Sequence, residues 1–118
     1  MDYCQLALNF AEFLQNEQGE DIKIYNVENK IKTTKRVVLC QKEKECDTKK
    51  LAKHFLDYVS EIQKPIHVDG IFKGEWVVFD FEDIIVHIIT EHTKQKYNID
   101  KMYKDCEILQ GDFMQLKF

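Results

Sequence analysis

Two neighbouring apolar runs constrain the fold of this chain more than any other feature. They are Trp76-Val77-Val78-Phe79 and Ile84-Ile85-Val86-His87-Ile88-Ile89, separated by the acidic turn Asp80-Phe81-Glu82-Asp83. Each run has the length and the β-branched or aromatic content of a strand, and the gap between them suits a hairpin. Neither alternates apolar with polar, as a strand with one wet face does. On the first, Trp76 and Val78 point one way and Val77 and Phe79 the other. On the second, Ile85 and Ile89 oppose Ile84, Val86 and Ile88. Both faces of the hairpin therefore need apolar cover, from helices on each side or from a partner.

The rest of the chain predicts that cover. Asp2 to Glu17 carries Leu6, Phe10, Phe13 and Leu14 at helical spacing, with Gly19 placed as a C-cap. Segments 21–27 and 36–40 read as two strands. Asp47 or Thr48 can cap a second helix whose stripe is Leu51, Phe55, Val59 and Ile62, stopped by Pro65. A short strand around Ile66 to Ile71 precedes the hairpin, and Thr90 can cap a third helix with Glu91 in its first turn. The order α-β-β-α-β-β-β-α predicts a single α/β domain with a mixed five-stranded sheet and packed helices. Two or three short helices cover one face of such a sheet well and the other only in part.

At 118 residues with 44% hydrophobic content, the chain can bury one core. Its net charge of −4 argues against free-standing nucleic-acid binding, and no DNA partner is expected. The lysines between Lys30 and Lys53 read as a solvated basic surface, with contact to RNA inside a larger assembly as the alternative. Cys4, Cys40, Cys46 and Cys106 form no CxxC pair, and the start Met1-Asp2-Tyr3 lacks the pattern of a signal peptide. No run is long enough to span a membrane. These features together predict a reduced, cytoplasmic protein.

Chemistry is thinly represented. Asp80 and Glu82 fall two apart, so on a strand both carboxylates face one side, as metal-binding pairs do. A metal-dependent, nucleotidyltransferase-like enzyme using that pair is the alternative reading. Against it, no Gly-Ser phosphate-holding turn and no third acidic residue on a neighbouring strand are evident, and acidic residues in a turn usually only turn and solvate. His87 and His92 are five apart, unlike paired zinc ligands, and His87 reads as a hydrogen-bonded core histidine. Neither a metal nor a cofactor is expected. Trp76 divides evenly between core and interface, because its neighbours Lys73 and Glu75 are wet and tryptophan anchors interfaces. Tyr97 is expected to pack on the sheet with its hydroxyl satisfied, and Tyr103 to be partly exposed.

The second half of the chain also carries a family pattern. Gly70, Trp76, Asp80, Asp83, Val86-His87, Glu91, Lys94, Tyr97, Asn98, Ile99, Asp100 and Met102-Tyr103 resemble the signature of the ribosomal silencing factor (RsfS, or Iojap) family. Lys94 stands where Arg is usual, Tyr103 where Trp is usual, and Glu82 where Gly is usual. The last predicts a changed turn geometry, since Gly tolerates positive φ freely. Upstream, 21–27 is similar to the family's first strand. Segment 35–40 lacks the Asp-Tyr-Phe lead of the second. The similarity covers residues 1–105 and leaves 106–118 as a tail, apolar through Phe113, Met114, Leu116 and Phe118.

The resemblance implies a nucleotidyltransferase-like α/β fold without catalysis. It also implies binding to the large ribosomal subunit at its uL-fourteen-family protein, which blocks subunit joining and represses translation when nutrients are scarce. Partner contact is expected at Trp76, Asp80, Phe81, Asp83, Lys94 and Tyr97. Phe81 at the turn would then be an exposed anchor, removable without unfolding the domain. The same patch could pair two copies as a homodimer when no ribosome is present.

Overall fold

The computed structural model describes residues 2–109; the apolar tail residues from Phe113 onward lie outside them. The chain runs α1 (Tyr3–Asn16), β1 (Glu20–Asn26), β2 (Arg36–Lys42), α2 (Glu45–Ser60), β3 (His67–Asp69), β4 (Trp76–Asp80), β5 (Ile84–Thr90), α3 (Glu91–Tyr97), α4 (Ile99–Met102) and β6 (Glu107–Ile108). The strands form one mixed sheet in the order β3-β4-β5-β2-β1-β6. All neighbours are antiparallel except the central pair, where β2 and β5 run parallel from Arg36↔Ile84 to Lys42↔Thr90. This is the expected α/β architecture with one strand more. The sixth strand comes from Glu107–Ile108, which reads in sequence as tail, and pairs with Asn26 and Tyr25. Two residues carry too little periodicity to show as a strand.

One face of the sheet is closed by two helices. Leu6, Ala7, Phe10, Ala11 and Leu14 of α1 and Leu51, Ala52, Phe55 and Val59 of α2 are buried. They meet Ile24, Val38, Cys40, Val77, Phe79, Ile84, Val86 and Ile88 from the strands. Phe55 stands edge-on to both Phe10 and Phe79, with centroids 5.2 and 4.9 Å apart, a geometry aromatic rings favour. The other face holds a smaller cluster of Tyr25, Val27, Val37, Leu39 and Ile89 under Ile99 and Tyr103.

Local signals set most boundaries. The Asp2 carboxylate caps α1 by accepting from Gln5 N–H at 2.9 Å, and Thr90 Oγ1 caps α3 from Thr93 N–H at 3.2 Å. Two cap expectations fail. The left-handed residue after α1 is Gln18 (φ 68°), while Gly19 is needed because a Cβ there would collide with Cys40 Sγ. Helix α2 follows Lys44, an N-cap that makes no side-chain bond, and Thr48 lies inside the helix with its hydroxyl donating back to Lys44 O at 3.1 Å. Ile62 falls beyond the helix and is exposed.

Candidate protein-binding surface

The lightly covered face is where the candidate residues can be weighed. Strand β4 alternates strictly, with Val77 and Phe79 buried under the helices and Trp76, Val78 and Asp80 half-buried on the opposite face. Cross-strand partners share a face, so the register Val78↔Asp69, Asp80↔His67 and Asp80↔Ile85 adds Asp69, His67 and Ile85 to that surface. Asp69 and His67 are exposed and Ile85 half-buried. Tyr97 at the end of α3 is 54% exposed, with its ring 5.6 Å from that of Trp76, and Met102 on α4 is also exposed. The result is an apolar strip of Trp76, Val78, Ile85 and Tyr97, with Asp69 beside Val78 and with Asp80 and Asp83 at the turn end.

Gly70 helps place Trp76. It sits at φ 92° in the turn between β3 and β4, and a Cβ there would collide with the Trp76 carbonyl oxygen. At the other end of β4, Asp80 Oδ1 accepts from Glu82 N–H at 2.7 Å, and Glu82 adopts φ 72°. The turn thus keeps the backbone shape that glycine permits, and the glutamate is absorbed as local strain. Its side chain and that of Asp83 are exposed, while the Asp83 carbonyl accepts from Lys35 and Arg36 N–H.

Two expected contact residues are inside the protein. Phe81 is 3% exposed and packs 4.8 Å from Phe10, centroid to centroid, in the core under α1 and α2. The hairpin turn curls its apolar residue inward, where it also meets the Phe55 ring at 6.4 Å. Lys94 is also buried, its ammonium donating to Asp21 Oδ2 and lying 3.5 Å from Asp100 Oδ2. It fastens α3 to the start of β1. The two tyrosines exchange their expected places, since Tyr97 is exposed and Tyr103 buried. The cause is Asn98, in the left-handed conformation at φ 51°, which ends α3 and begins α4 in a new direction.

Under the strip lies a continuous polar chain. The Trp76 indole N–H donates to His87 Nδ1 at 3.0 Å, and His87 Nε2 lies 3.2 Å from the Tyr103 hydroxyl. The Tyr103 ring stacks on Tyr25 at 5.1 Å, Tyr25 donates to Asp100 Oδ1 at 3.1 Å, and Lys23 donates to the same oxygen at 3.0 Å. Burial lowers the His87 pKa to about 4, so the ring is neutral at physiological pH. Burial raises the Asp100 carboxyl, but the Lys23 bond and the Lys94 charge outweigh it and leave the group below its ordinary value. His87 is thus the hydrogen-bonded core histidine its position on β5 suggests. Its link to Trp76 had one legible signal, the shared sheet face of the two residues.

Among the described residues no three His, Cys, Asp or Glu side chains come together as a ligand set, and the Asp80 carboxylate is occupied in its own turn. No helix among them is long and apolar enough to cross a membrane.

Known proteins agree with this architecture. A crystal structure of a Chromobacterium violaceum protein superposes with a TM-score of 0.83 at 21% identity, covering 88% of each chain. One from Bacillus halodurans gives 0.71 at 21% identity, covering 91% of this chain and 95% of its own. The Bacillus subtilis ribosomal silencing factor RsfS is 21% identical over 104 residues, 87% of this chain and 88% of the relative. The sequence profile of the family described as "Ribosomal silencing factor during starvation" matches residues 2–117. Over nearly its whole length, then, the chain belongs to the ribosomal silencing factor family, whose name places it in the regulation of translation.

Proposed function

We propose that this protein represses translation in the cytoplasm by binding the large ribosomal subunit at its uL-fourteen-family protein and sterically preventing subunit joining. The observation that carries the reading is the half-covered face: Trp76 and Tyr97 in ring contact beside Val78 and Ile85, ending in a cluster of carboxylates. Tryptophan and tyrosine in such a patch are the residues that anchor interfaces. The acidic end complements a basic ribosomal protein and favours fast association. Occlusion needs affinity and position but no transition-state stabilisation, which fits a non-enzymatic factor. Trp76, Asp80, Asp83 and Tyr97 are the contacts in this reading; Phe81 and Lys94 support them from inside. The same face would serve a homodimer in the absence of ribosomes.

Sedimentation of cell extracts tests this directly. Tagged protein is expected with free large subunits and depleted from polysomes, and Trp76→Ala is expected to weaken binding by about 2 kcal/mol, the usual cost of losing an aromatic anchor. Abundant protein on polysomes, or a folded Trp76→Ala variant that binds like the parent, would overturn the reading. Calorimetric titration with nucleotide and magnesium or manganese should give no binding that depends on Asp80.

A further inference from the structure

We infer that His87 is a positioning residue for the protein-binding surface: by accepting the indole N–H of Trp76 at Nδ1 while its Nε2 engages Tyr103, it fixes the tryptophan in one orientation. The inference deepens the proposed function and rests on Trp76 being a contact residue. Trp76 lies on the lightly covered face, half-buried at the edge of the smaller cluster rather than under α1 and α2 as Val77 and Phe79 are. Its ring is bounded by His87 at 5.9 Å and Tyr97 at 5.6 Å. Tyr97 is itself exposed, so the rigid side of this enclosure is His87.

The chemistry of the pair fixes a tautomer. An indole N–H can only donate, so His87 Nδ1 has to carry a free lone pair, and the ring proton sits on Nε2 facing the Tyr103 oxygen 3.2 Å away. His87 is 7% exposed and its ring stays neutral down to about pH 4, so this acceptor is present throughout the physiological range. Tyr103 is held in turn by its stack on Tyr25, whose hydroxyl is bonded to Asp100. The tryptophan orientation is thereby referred back to β1 and α4 as well as to its local packing. An anchor already held in its bound rotamer has less side-chain freedom to lose on association.

Trp76 is the sole tryptophan of the chain, which gives the test a unique reporter in the indole N–H signal of a nitrogen-15 NMR spectrum. In the unmodified protein, His87 ring nitrogen shifts should show the Nε2–H tautomer with Nδ1 accepting; an Nδ1–H tautomer would overturn the inference without any variant. Asn and Leu share the same branched heavy-atom skeleton, but only Asn presents an acceptor near the Nδ1 position. His87→Leu should therefore speed indole N–H exchange and weaken large-subunit binding, each by about ten-fold, the worth of one hydrogen bond. His87→Asn should restore most of both. A folded Leu variant with parental indole exchange, or an Asn variant no better than Leu, refutes positioning by the acceptor. Failure of the surface itself would look different, because Trp76→Ala would then bind normally while the indole signals behaved as described.

Discussion

The two faces of the sheet solve the same covering problem with different shares of packing and bonding. Under α1 and α2 the contacts are hydrocarbon and aromatic, with Phe10, Phe55 and Phe79 fully buried. On the other face two short helices, α3 and α4, lie over a smaller apolar cluster and are tied down by directional bonds: His87 to Tyr103, Tyr25 to Asp100, and Lys94 to Asp21. Packing of the first kind tolerates no access, whereas a bonded frame can hold side chains still while leaving them half exposed. Stability should therefore concentrate on the first face and recognition on the second.

The largest effect that could break this division is Phe81→Ala. With Phe81 buried against Phe10 and Phe55, truncation should cost about 3–4 kcal/mol of stability, measured by urea unfolding. A folded variant with parental stability and lost ribosome binding would return Phe81 to the interface and overturn the buried placement. Trp76→Ala should do the reverse, losing binding with a smaller change in unfolding midpoint.

Acid should act selectively on the bonded face. The folded pKa of His87, about 4, lies below the ordinary value of 6.5, so the unfolded chain takes up the proton first as pH falls. The associated stability is complete above about pH 6.5 and is lost as pH falls through 4, amounting to about 3 kcal/mol in all. Unfolding free energies from pH 7 to 4 should show this slope, and His87→Asn should flatten it. An unchanged slope in that variant would assign the loss to other groups.

A smaller effect is expected at Lys94. Lys94→Met leaves Asp21 and Asp100 without their buried cation, yet both carboxylates are nearly half exposed, so solvent offsets much of the loss. About 1–2 kcal/mol is expected, with faster amide exchange in α3 than in α1 as the local signature. Smallest of all, Glu82→Gly should stabilise by about 0.5 kcal/mol, since relief of left-handed strain slightly exceeds the entropy that glycine adds to the unfolded chain. Destabilisation would show that the glutamate side chain contributes a contact.

The contrast also explains what could be read in the sequence. Continuous apolar runs located β4 and β5, the stripe Leu51-Phe55-Val59 located α2, and Thr90 located the start of α3, because each signal lies within a few residues. The partly covered face was legible too, as a mismatch between apolar strand surface and available helix. Phe81 was misplaced because the rings that enclose it, Phe10 and Phe55, come from two helices distant in sequence. Lys94 was misplaced because its partners, Asp21 and Asp100, reach it from other elements. The exchange of Tyr97 and Tyr103 had a local cue in Asn98, a residue that tolerates the left-handed conformation. Its effect on direction nevertheless needs the backbone. The bond from Trp76 to His87 joins two strands, and only the register Val78↔His87 brings the rings together.

The central parallel pair has a consequence for how the protein comes into being. Strands β2 and β5 meet only after the intervening residues 43–83 have formed a loop, whereas β1 and β2 are joined by the nine residues 27–35 and β4 and β5 by the three residues 81–83. Closing the long loop is the entropically expensive contact, so we expect two local hairpins to form first and to dock late. During synthesis β2 must then wait, one edge unpaired, until β5 has been made, more than forty residues later (β2 ends at Lys42 and β5 begins at Ile84). The centre of the sheet, its most protected part when finished, is the last to be closed.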